Sequence, residues 1–387
     1  MENTIRIREN HSEIEKHPIV CSLDVHSTNI YMYILNRNTG EILCDCNILG
    51  GFKAVLKHII KLKIRENMII IYEASNYGFY PYRLFTKRGY ACKIIAPNSI
   101  PQKKNLKKTD WYDATENANY HIAGLLRYVH IRTEKDEQSR EVLRYRCQQI
   151  WKIIKQKQYI QAFTKRYGLE YNLTAGYWTK KHYQWLNTVE LPSMPRELLD
   201  LKLSFLSELE NQLAKLEKIL DDIFEKDETF KRLFKLYSLI RGVGRINAMT
   251  LVLEGQDIKR FAKSSALMSY TGLVPGKHST GTSDPHLRIT KSGNKFLRTA
   301  LVGIAKMYRD KRTLRTKKEL NGIPEPLKSF LERCQTRLNG RYRHLVSKGK
   351  HSNKARCAIA RELCGFIWEL VVKIEPTLKE EQYKLVA

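Results

Sequence analysis

Lys108-Thr109-Asp110-Trp111-Tyr112-Asp113-Ala114 sets two carboxylates three residues apart, behind a run of lysines at Lys103, Lys104, Lys107 and Lys108. If the segment opens a helix, both acids leave one face about one turn apart. Like charges held that close repel unless a cation lies between them. Acid beside base, in a basic chain, points to a divalent metal held against a phosphate backbone. The same residues also suit a plain N-capped helix, whose first turn favours Asp. Carboxylates at suitable places upstream separate the two readings. Asp24 and Glu73 are the candidates, each at the end of a short apolar run, Ile19 to Val25 and Asn67 to Glu73.

The elements that must position these groups follow from the apolar patterning. Ile19 to Val25 reads as a strand, and Ile30 to Asn36 alternates with Tyr31, Tyr33 and Leu35 on one side. Asn38-Thr39-Gly40 makes a turn, and Glu41 to Leu49 a third strand. Phe52 to Leu62 has helical periodicity. Met68-Ile69-Ile70-Ile71-Tyr72 is continuously apolar, as a buried parallel strand is. Tyr80 to Arg88 reads as a helix, and Ala91 to Ile95 as a strand closed by Pro97. The order βββ-α-β-α-β, followed by the Asp110/Asp113 helix, is the connectivity of the ribonuclease-H-like fold. In that fold the first strand is central and lies beside the fourth. Asp24 and Glu73 then reach one sheet edge, and the last helix returns Asp110 and Asp113 to it. Four carboxylates gathered there cannot all stay ionised without cations. Hard oxygen ligands suit Mg²⁺ or Mn²⁺, and paired metals suit in-line phosphoryl transfer. An actin-like sugar-kinase fold also opens with a strand-end Asp, but it wants glycines after that residue, where this chain reads Asp24-Val25-His26-Ser27.

The chain has 387 residues, 42% of them hydrophobic, enough for two or three domains. We place an α/β domain at residues 17–126, a helical region at 127–235 and a helical domain at 236–372. Lys+Arg is 68 against Asp+Glu 40, a net charge of +28 that favours polyanionic partners. An anionic membrane is the rival partner, but the sequence shows no apolar run of about 18 residues, no secretory signal and no lipidation motif. The eight cysteines show no CxxC pairs and no alternation with histidines. Cys44-Asp45-Cys46 falls in a strand, where neighbouring side chains face opposite ways. A reduced, cytoplasmic protein without zinc fits this usage.

Tyr128 to Lys165 is helical in character. It carries Arg140, Arg144, Arg146, Lys152, Lys155, Lys157 and Lys165 among Tyr145, Trp151, Tyr159 and Phe163. Basic and stacking groups together suit RNA or single strands, and an amphipathic helix with a solvated basic face has the same composition. Pro195 starts a long helix in which Leu206, Leu209, Leu213, Leu216, Leu220 and Ile223 step by three and four, a coiled-coil seam that suits packing within the chain or between chains.

Leu239-Ile240-Arg241-Gly242-Val243-Gly244-Arg245-Ile246-Asn247-Ala248 is a helix-hairpin-helix signature. Gly242 and Gly244 allow a tight turn that exposes backbone N–H groups at a helix start, with Arg245 beside them. Such a turn binds phosphate without reading sequence. A plain helix–helix turn needs the same glycines. Downstream, Tyr270 to Ser283 is a hydroxyl-rich loop containing Lys277, Ser279 and Thr280, and Arg288, Lys291, Asn294 and Arg298 follow. The cations would neutralise a phosphate, and Ser279 or Thr280 would reach its phosphorus. A hydroxyl nucleophile needs a base or charge stabilisation at the phosphate. A loop without chemistry has this composition too. Thr299 to Met307 continues as a helix, Arg309 to Arg343 is basic and polar with Pro324 and Pro326 marking a loop, and His351 to Val372 is amphipathic.

Leu23-Asp24-Val25-His26, Tyr72-Glu73-Ala74-Ser75 and Lys108 to Ala114 together resemble the DEDD transposases of the insertion-sequence family one-ten. These are Piv-like enzymes with a RuvC-like domain that act as bridge-RNA-guided serine recombinases. The resemblance runs from about Val20 to Val372, through Gly272-Leu273-Val274-Pro275, Ser279-Thr280-Gly281 and Lys291-Ser292-Gly293-Asn294. It implies that Asp24, Glu73, Asp110 and Asp113 are the DEDD set holding Mg²⁺ or Mn²⁺. It implies a serine that attacks DNA to form a 5′-phosphoserine link. It further implies a non-coding guide RNA that pairs with target and donor DNA, a coiled-coil dimer contact, and a dimer-to-tetramer assembly in which metal site and serine come from different subunits. The setting it implies is bacterial or archaeal, cytoplasmic and nucleoid-associated.

At the nucleophile the chain departs from the family's Ser-Gly pair. Counting forward from Pro275 gives Thr280, and counting back from Lys291 gives Ser279. The less hindered primary hydroxyl favours Ser279. Thr280 stays open, and Ser283 is a third choice. Two other readings are a metal-dependent junction nuclease in which water attacks, and a non-catalytic RNA- or DNA-binding protein.

Overall fold

The computed structural model describes residues 15–64, 67–97, 100, 109–171, 176–276, 288–309 and 322–378. Lys107, Lys108, Lys277, Ser279, Thr280 and Ser283 lie outside the described residues. The chain divides into two compact units, residues 1–133 and 134–387. The expected last segment and most of the middle one fall within the second, whereas residues 127–133 of the expected middle belong to the first.

The first unit runs β1 (Ile19–Val25), β2 (Asn29–Asn36), β3 (Ile42–Leu49), α1 (Gly51–Lys61), β4 (Met68–Glu73), α2 (Tyr80–Thr86), β5 (Ala91–Ile95) and α3 (Asp110–Ile122). Its sheet has the order β3-β2-β1-β4-β5. β1 is antiparallel to β2 and parallel to β4, which is parallel to β5. Short connections impose the meander: His26 N–H bonds Asn29 O at 3.0 Å, and Gly40, at φ +74°, bonds Asn36 O at 2.8 Å. Both faces of the central strands are covered. Cys21, Leu23, Ile70 and Tyr72 pack with Phe52, Val55, Ile59 and Phe85 of α1 and α2. Val20, Ile69 and Ile71 pack with Ala114 and Ala118 of α3. Burial on two sides is why β4 carries no polar alternation.

The second unit is helical: α4 (Glu134–Arg166), α5 (Lys180–Thr188), α6 (Ser193–Lys226), α7 (Glu228–Ser238), α8 (Arg245–Gly255), α9 (Ser264–Tyr270), α10 (Lys295–Ala305), α11 (Glu325–Ser347) and α12 (Ser352–Glu369). α4 and α6 pack along much of their length, with Ile153, Ile160 and Phe163 against Leu199, Leu206 and Leu209. Leu143 of α4 and Leu220 and Phe224 of α6 continue into the core built by α7 to α12. Much of the leucine seam, at Leu206, Leu209 and Leu220, is therefore covered by the chain itself. A different stripe of α6 remains exposed: Met194, Leu198, Leu201 and Phe205, stepping by four, three and four.

Two further expectations need correction. The stretch 309–343, read as polar with a loop at its prolines, contains most of α11, which buries Leu327, Phe330, Leu331, Cys334, Leu338, Tyr342 and Leu345. Charges on the outward faces hid that stripe, and Pro326 sits in the first turn, where a missing N–H costs nothing. On α4, Arg144, Arg146 and Lys157 pair with Glu254, Glu217 and Glu210 instead of forming a free basic face. The exposed part of α4 is aromatic and cationic: Lys152 lies 5.7 Å from the Tyr145 ring centre and Lys155 5.2 Å from that of Trp151.

Glu254 is fully buried in α8. Arg144 grips it with Nε at 2.7 Å and Nη2 at 3.0 Å, and Asn294 Nδ2 donates at 2.7 Å. Burial pushes this carboxyl up, but the Arg144 pair and the Asn294 bond outweigh burial and hold it below its usual range. Because the folded value lies below the unfolded one, about 4.3, the stabilisation is present above that pH and is lost as pH falls through the folded value. We predict that Glu254→Gln costs about 3–5 kcal/mol in urea denaturation at pH 7. The difference from the wild-type protein should shrink as pH falls below about 4. Equal stability at neutral pH would contradict this account.

Candidate functional site

Asp24 lies next to last in β1, and Glu73 ends β4. The last registered pair between these parallel strands is Leu23 with Tyr72, so Asp24 and Glu73 follow side by side. Side chains alternate along a strand. Leu23 and Tyr72 point into the core of α1 and α2, whereas Val20, Ile69 and Ile71 face α3. Asp24 and Glu73 inherit the α3 face. α3 approaches that edge by its N-terminus, where Thr109 Oγ1 caps the helix by accepting from Tyr112 N. Its first turn holds Asp110 and Asp113.

Between the acids stands a residue that sequence reasoning missed. His26 Nε2 is 3.0 Å from Asp24 Oδ2 and 3.2 Å from Asp110 Oδ1. The three ligand atoms lie within 4.8 Å of one another. Burial pushes the Asp24 carboxyl up, His26 pulls it down, and the like charges of Asp113 and Asp110 raise it again, for a net rise. Burial lowers the His26 pKa, but Asp24 and Asp110 reverse that and raise it overall. The arrangement is one that a cation stabilises, and the His26 imidazole stands between the two carboxylates. Asn29 Nδ2 adds a bond to Asp110 Oδ2 at 3.4 Å and another to Asn47 Oδ1 at 3.1 Å. Trp111 Nε1 donates to Asp45 Oδ2 at 3.2 Å, tying the first turn of α3 to β3. The Asp-x-His spacing at a strand end was the available sequence signal for His26.

In the second unit the structure builds the two ends of the hydroxyl-rich loop. Residues 272–276 and 288–291 pair with each other: Gly276 N bonds Arg288 O at 3.0 Å, Thr290 N bonds Val274 O at 2.9 Å, and Lys291 N bonds Gly272 O at 3.1 Å. Lys291 has φ +56°. A Cβ on Gly272 would meet Ser292 O at 2.2 Å, and one on Gly293 would meet Tyr270 O at 2.2 Å. Arg298 Nη1 donates to Thr271 O at 2.9 Å. Asn294, expected to touch nucleic acid, has its side chain engaged within the protein. Its Oδ1 caps α10 by accepting from Phe296 N and Leu297 N, and its Nδ2 holds Glu254. Glu254, which holds the Asn294 side chain, is a second residue that the sequence reading passed over, although a lone acid in the apolar run Ala248 to Gly255 was a usable signal. In the 239–248 turn, Gly242 has φ +81° and packs so closely that a Cβ would meet Met307 Cγ at 2.8 Å. Gly244 is the N-cap of α8. Arg245 is turned to α6, with Nη2 2.6 Å from Asp221 Oδ1 and Nη1 3.6 Å from Glu217 Oε2.

The family profile described as Transposase IS116/IS110/IS902 family matches residues 235–319. The transposase-named protein y4qE of Sinorhizobium fredii is 31% identical over 315 residues, covering 81% of this chain and 77% of the relative. The chain belongs to the IS116/IS110/IS902 transposase family. The transposase for insertion sequence element IS1533 of Leptospira borgpetersenii is 30% identical, over 63% of this chain and 71% of the relative. That for IS1328 of Yersinia enterocolitica is 26% identical, over 86% and 94%. Family membership makes this a DNA-transposition enzyme. No helix among the described residues is long and apolar enough to cross a membrane. The family-matched segment of the transposase takes in the Gly242 turn, Glu254 and both ends of the hydroxyl-rich loop.

Gly293→Ala in this transposase is expected to destabilise the second unit by more than about 1 kcal/mol, because both the left-handed backbone and the Tyr270 carbonyl oppose a Cβ. Thermal unfolding checks this, and an unchanged midpoint would contradict the loop-end geometry.

Proposed function

We propose that this transposase cuts and exchanges DNA strands at the ends of its element, using a ribonuclease-H/RuvC-like acid cluster of Asp24, Glu73, Asp110 and Asp113 together with a hydroxyl nucleophile, Ser279 in preference to Thr280. The observation that carries the reading is the β1–β4 register, which sets Asp24 beside Glu73 on the face where α3 presents Asp110 and Asp113. The donors are hard oxygens, and Asp24 is pushed up by burial and by neighbouring acids, so the set fits Mg²⁺ or Mn²⁺. Bound there, such an ion would stabilise charge developing on the scissile phosphate.

The serine oxygen attacks phosphorus and gives up its proton. The bond from phosphorus to the 3′ oxygen breaks, and that oxygen leaves as a 3′-OH. The new 5′-phosphoserine ester conserves the energy of the broken bond. A 3′-OH from a partner strand reverses the step, so no nucleotide cofactor is consumed. Backbone N–H groups at the start of α8 and the cations Arg288, Lys291 and Arg298 suit the phosphate backbone, as do Lys107, Lys108 and Lys277.

A non-coding guide RNA is the second nucleic-acid partner in this reading. The exposed Tyr145, Trp151 and Tyr159 with Lys152 and Lys155 on α4 suit stacking with single-stranded segments. The exposed α6 stripe of Met194, Leu198, Leu201 and Phe205 has the spacing of a coiled-coil dimer contact, a step toward a tetramer. The enzyme would act at the nucleoid in the cytoplasm of a bacterium or archaeon.

Asp24→Asn and Asp113→Asn should each lower strand exchange by about a hundredfold or more while leaving DNA binding in place. Ser279→Ala should abolish protein covalently attached to a DNA 5′ end. Loss in Thr280→Ala instead would move the nucleophile by one residue, and full exchange in both variants would reject the mechanism. Free 5′-phosphate ends without an adduct would favour a water-using nuclease. Leu201→Glu should shift the protein from dimer to monomer in light scattering, and an unchanged mass would remove α6 as the contact.

A further inference from the structure

A second group of ligand-type side chains lies on the opposite face of the first unit's sheet. Alternation along β3 separates Asp45 from its neighbours but puts Cys44 and Cys46 on the same side, toward the core of α1 and α2. The turn from β3 into α1 runs through Gly50 at φ +95° and Gly51 at φ +72°, and α1 then presents His58 from its last turn. Cys44 Sγ is 3.4 Å from Cys46 Sγ and 3.9 Å from His58 Nε2. All three ligand atoms lie within 4.8 Å of one another, and the three residues are half-buried. We propose that Cys44, Cys46 and His58 form a zinc site that clips β3 to α1.

The spacing is close to what the ion needs. Zn–S bonds of about 2.3 Å and Zn–N bonds of about 2.0 Å at tetrahedral angles place sulfurs about 3.8 Å apart and sulfur and nitrogen about 3.6 Å apart. Small rotations of two thiols suffice to reach those values. Two sulfurs and one imidazole suit a borderline-soft ion and do not suit Mg²⁺ or Mn²⁺, so the site is chemically distinct from the acid cluster. A disulfide is the competing use of the pair, and the backbone disfavours it. Residues i and i+2 of a strand are about 6.6–6.8 Å apart at Cα, the long limit for a disulfide. Burial and then the Cys46 contact push the Cys44 thiol up to about 12. Binding releases two thiol protons to solvent and leaves two thiolates and a neutral imidazole on Zn²⁺, with one position for water.

The site has a mechanical consequence for β3. Asp45, between the two cysteines, faces the other side, where it accepts from Tyr31 Oη at 2.5 Å and from Trp111 Nε1 at 3.2 Å. Trp111 adjoins Asp110 in the first turn of α3. Clamping Cys44 and Cys46 therefore steadies the residue that anchors that turn. This consequence rests on the proposed role of Asp110, whereas the zinc site itself does not.

The test uses the full chain, purified under reducing conditions, with metal content measured by mass spectrometry. It then follows Co²⁺ titration by absorption. Thiolate-to-cobalt charge transfer cannot come from carboxylates, so it separates this site from binding at Asp24. We expect about one zinc per chain, a thiolate band with tetrahedral cobalt absorption, and displacement of the cobalt by Zn²⁺. Cys44→Ser, Cys46→Ser and His58→Gln should each weaken binding at least about tenfold, whereas Cys357→Ser should not. Circular dichroism confirms that each variant is folded. His58→Gln keeps the proposal testable if a cysteine variant is not, because it should retain the thiolate band with lower affinity. A wild-type chain that gives no thiolate band, a folded Cys44→Ser that keeps it, or a Cys44–Cys46 disulfide in place of metal would overturn the proposal.

Discussion

Carboxylates that repel one another are brought to one edge of a sheet, and much of the first unit is arranged to keep them there. Asp24 and Asp110 are bridged by a single imidazole, His26, and Asp113 adds its field to Asp24. Such a cluster does not assemble from local preference. It needs β1 and β4 parallel and adjacent, so that two strand ends coincide. It also needs a helix entering by its N-terminus, where the backbone dipole offsets part of the negative charge. Ala114 and Ala118 let α3 lie close to the strands, and the Trp111–Asp45 bond fixes its first turn to β3.

The second unit solves a different problem, which is to hold the two ends of a polar loop from inside a helical core. A buried carboxylate, Glu254, is the hub. It is neutralised by Arg144 of α4 and bonded to Asn294, which at the same time caps α10. Gly272 and Gly293 let the flanking backbones cross at a distance no side chain allows. A polar network this deep is stable only when every member is satisfied. That requirement explains why Arg144 and Asn294 both bond to Glu254.

Part of this was legible in the sequence. The strand order followed from runs whose length, apolar content and turn residues left little choice. Asp24, Glu73, Asp110 and Asp113 were singled out because strand ends and helix starts announce themselves locally. His26 was passed over because its role depends on where Asp110 arrives, many residues downstream. The Cys44–Cys46–His58 group was read as ordinary cysteine usage, since the strand alternation was applied to neighbours and not to residues two apart, and the return of α1 over β3 is not a sequence pattern. On α6 the leucine repeat was real, but a heptad pattern does not say which stripe meets the chain's own α4 and which stays outside. Leu206 and Leu209 are inside, and Leu201 and Phe205 outside. Arg144 and Arg146 looked like nucleic-acid contacts because composition does not show that a buried glutamate and an α6 glutamate await them.

The claim on which the account stands is that the acid cluster is a divalent-ion site. Mn²⁺ titration of the full chain, followed by electron paramagnetic resonance, tests it most directly. The account predicts bound Mn²⁺ that Mg²⁺ displaces, with affinity at least about tenfold weaker in a folded Asp24→Asn chain. Mn²⁺ binding of equal strength in the two chains, or none in either, would contradict it.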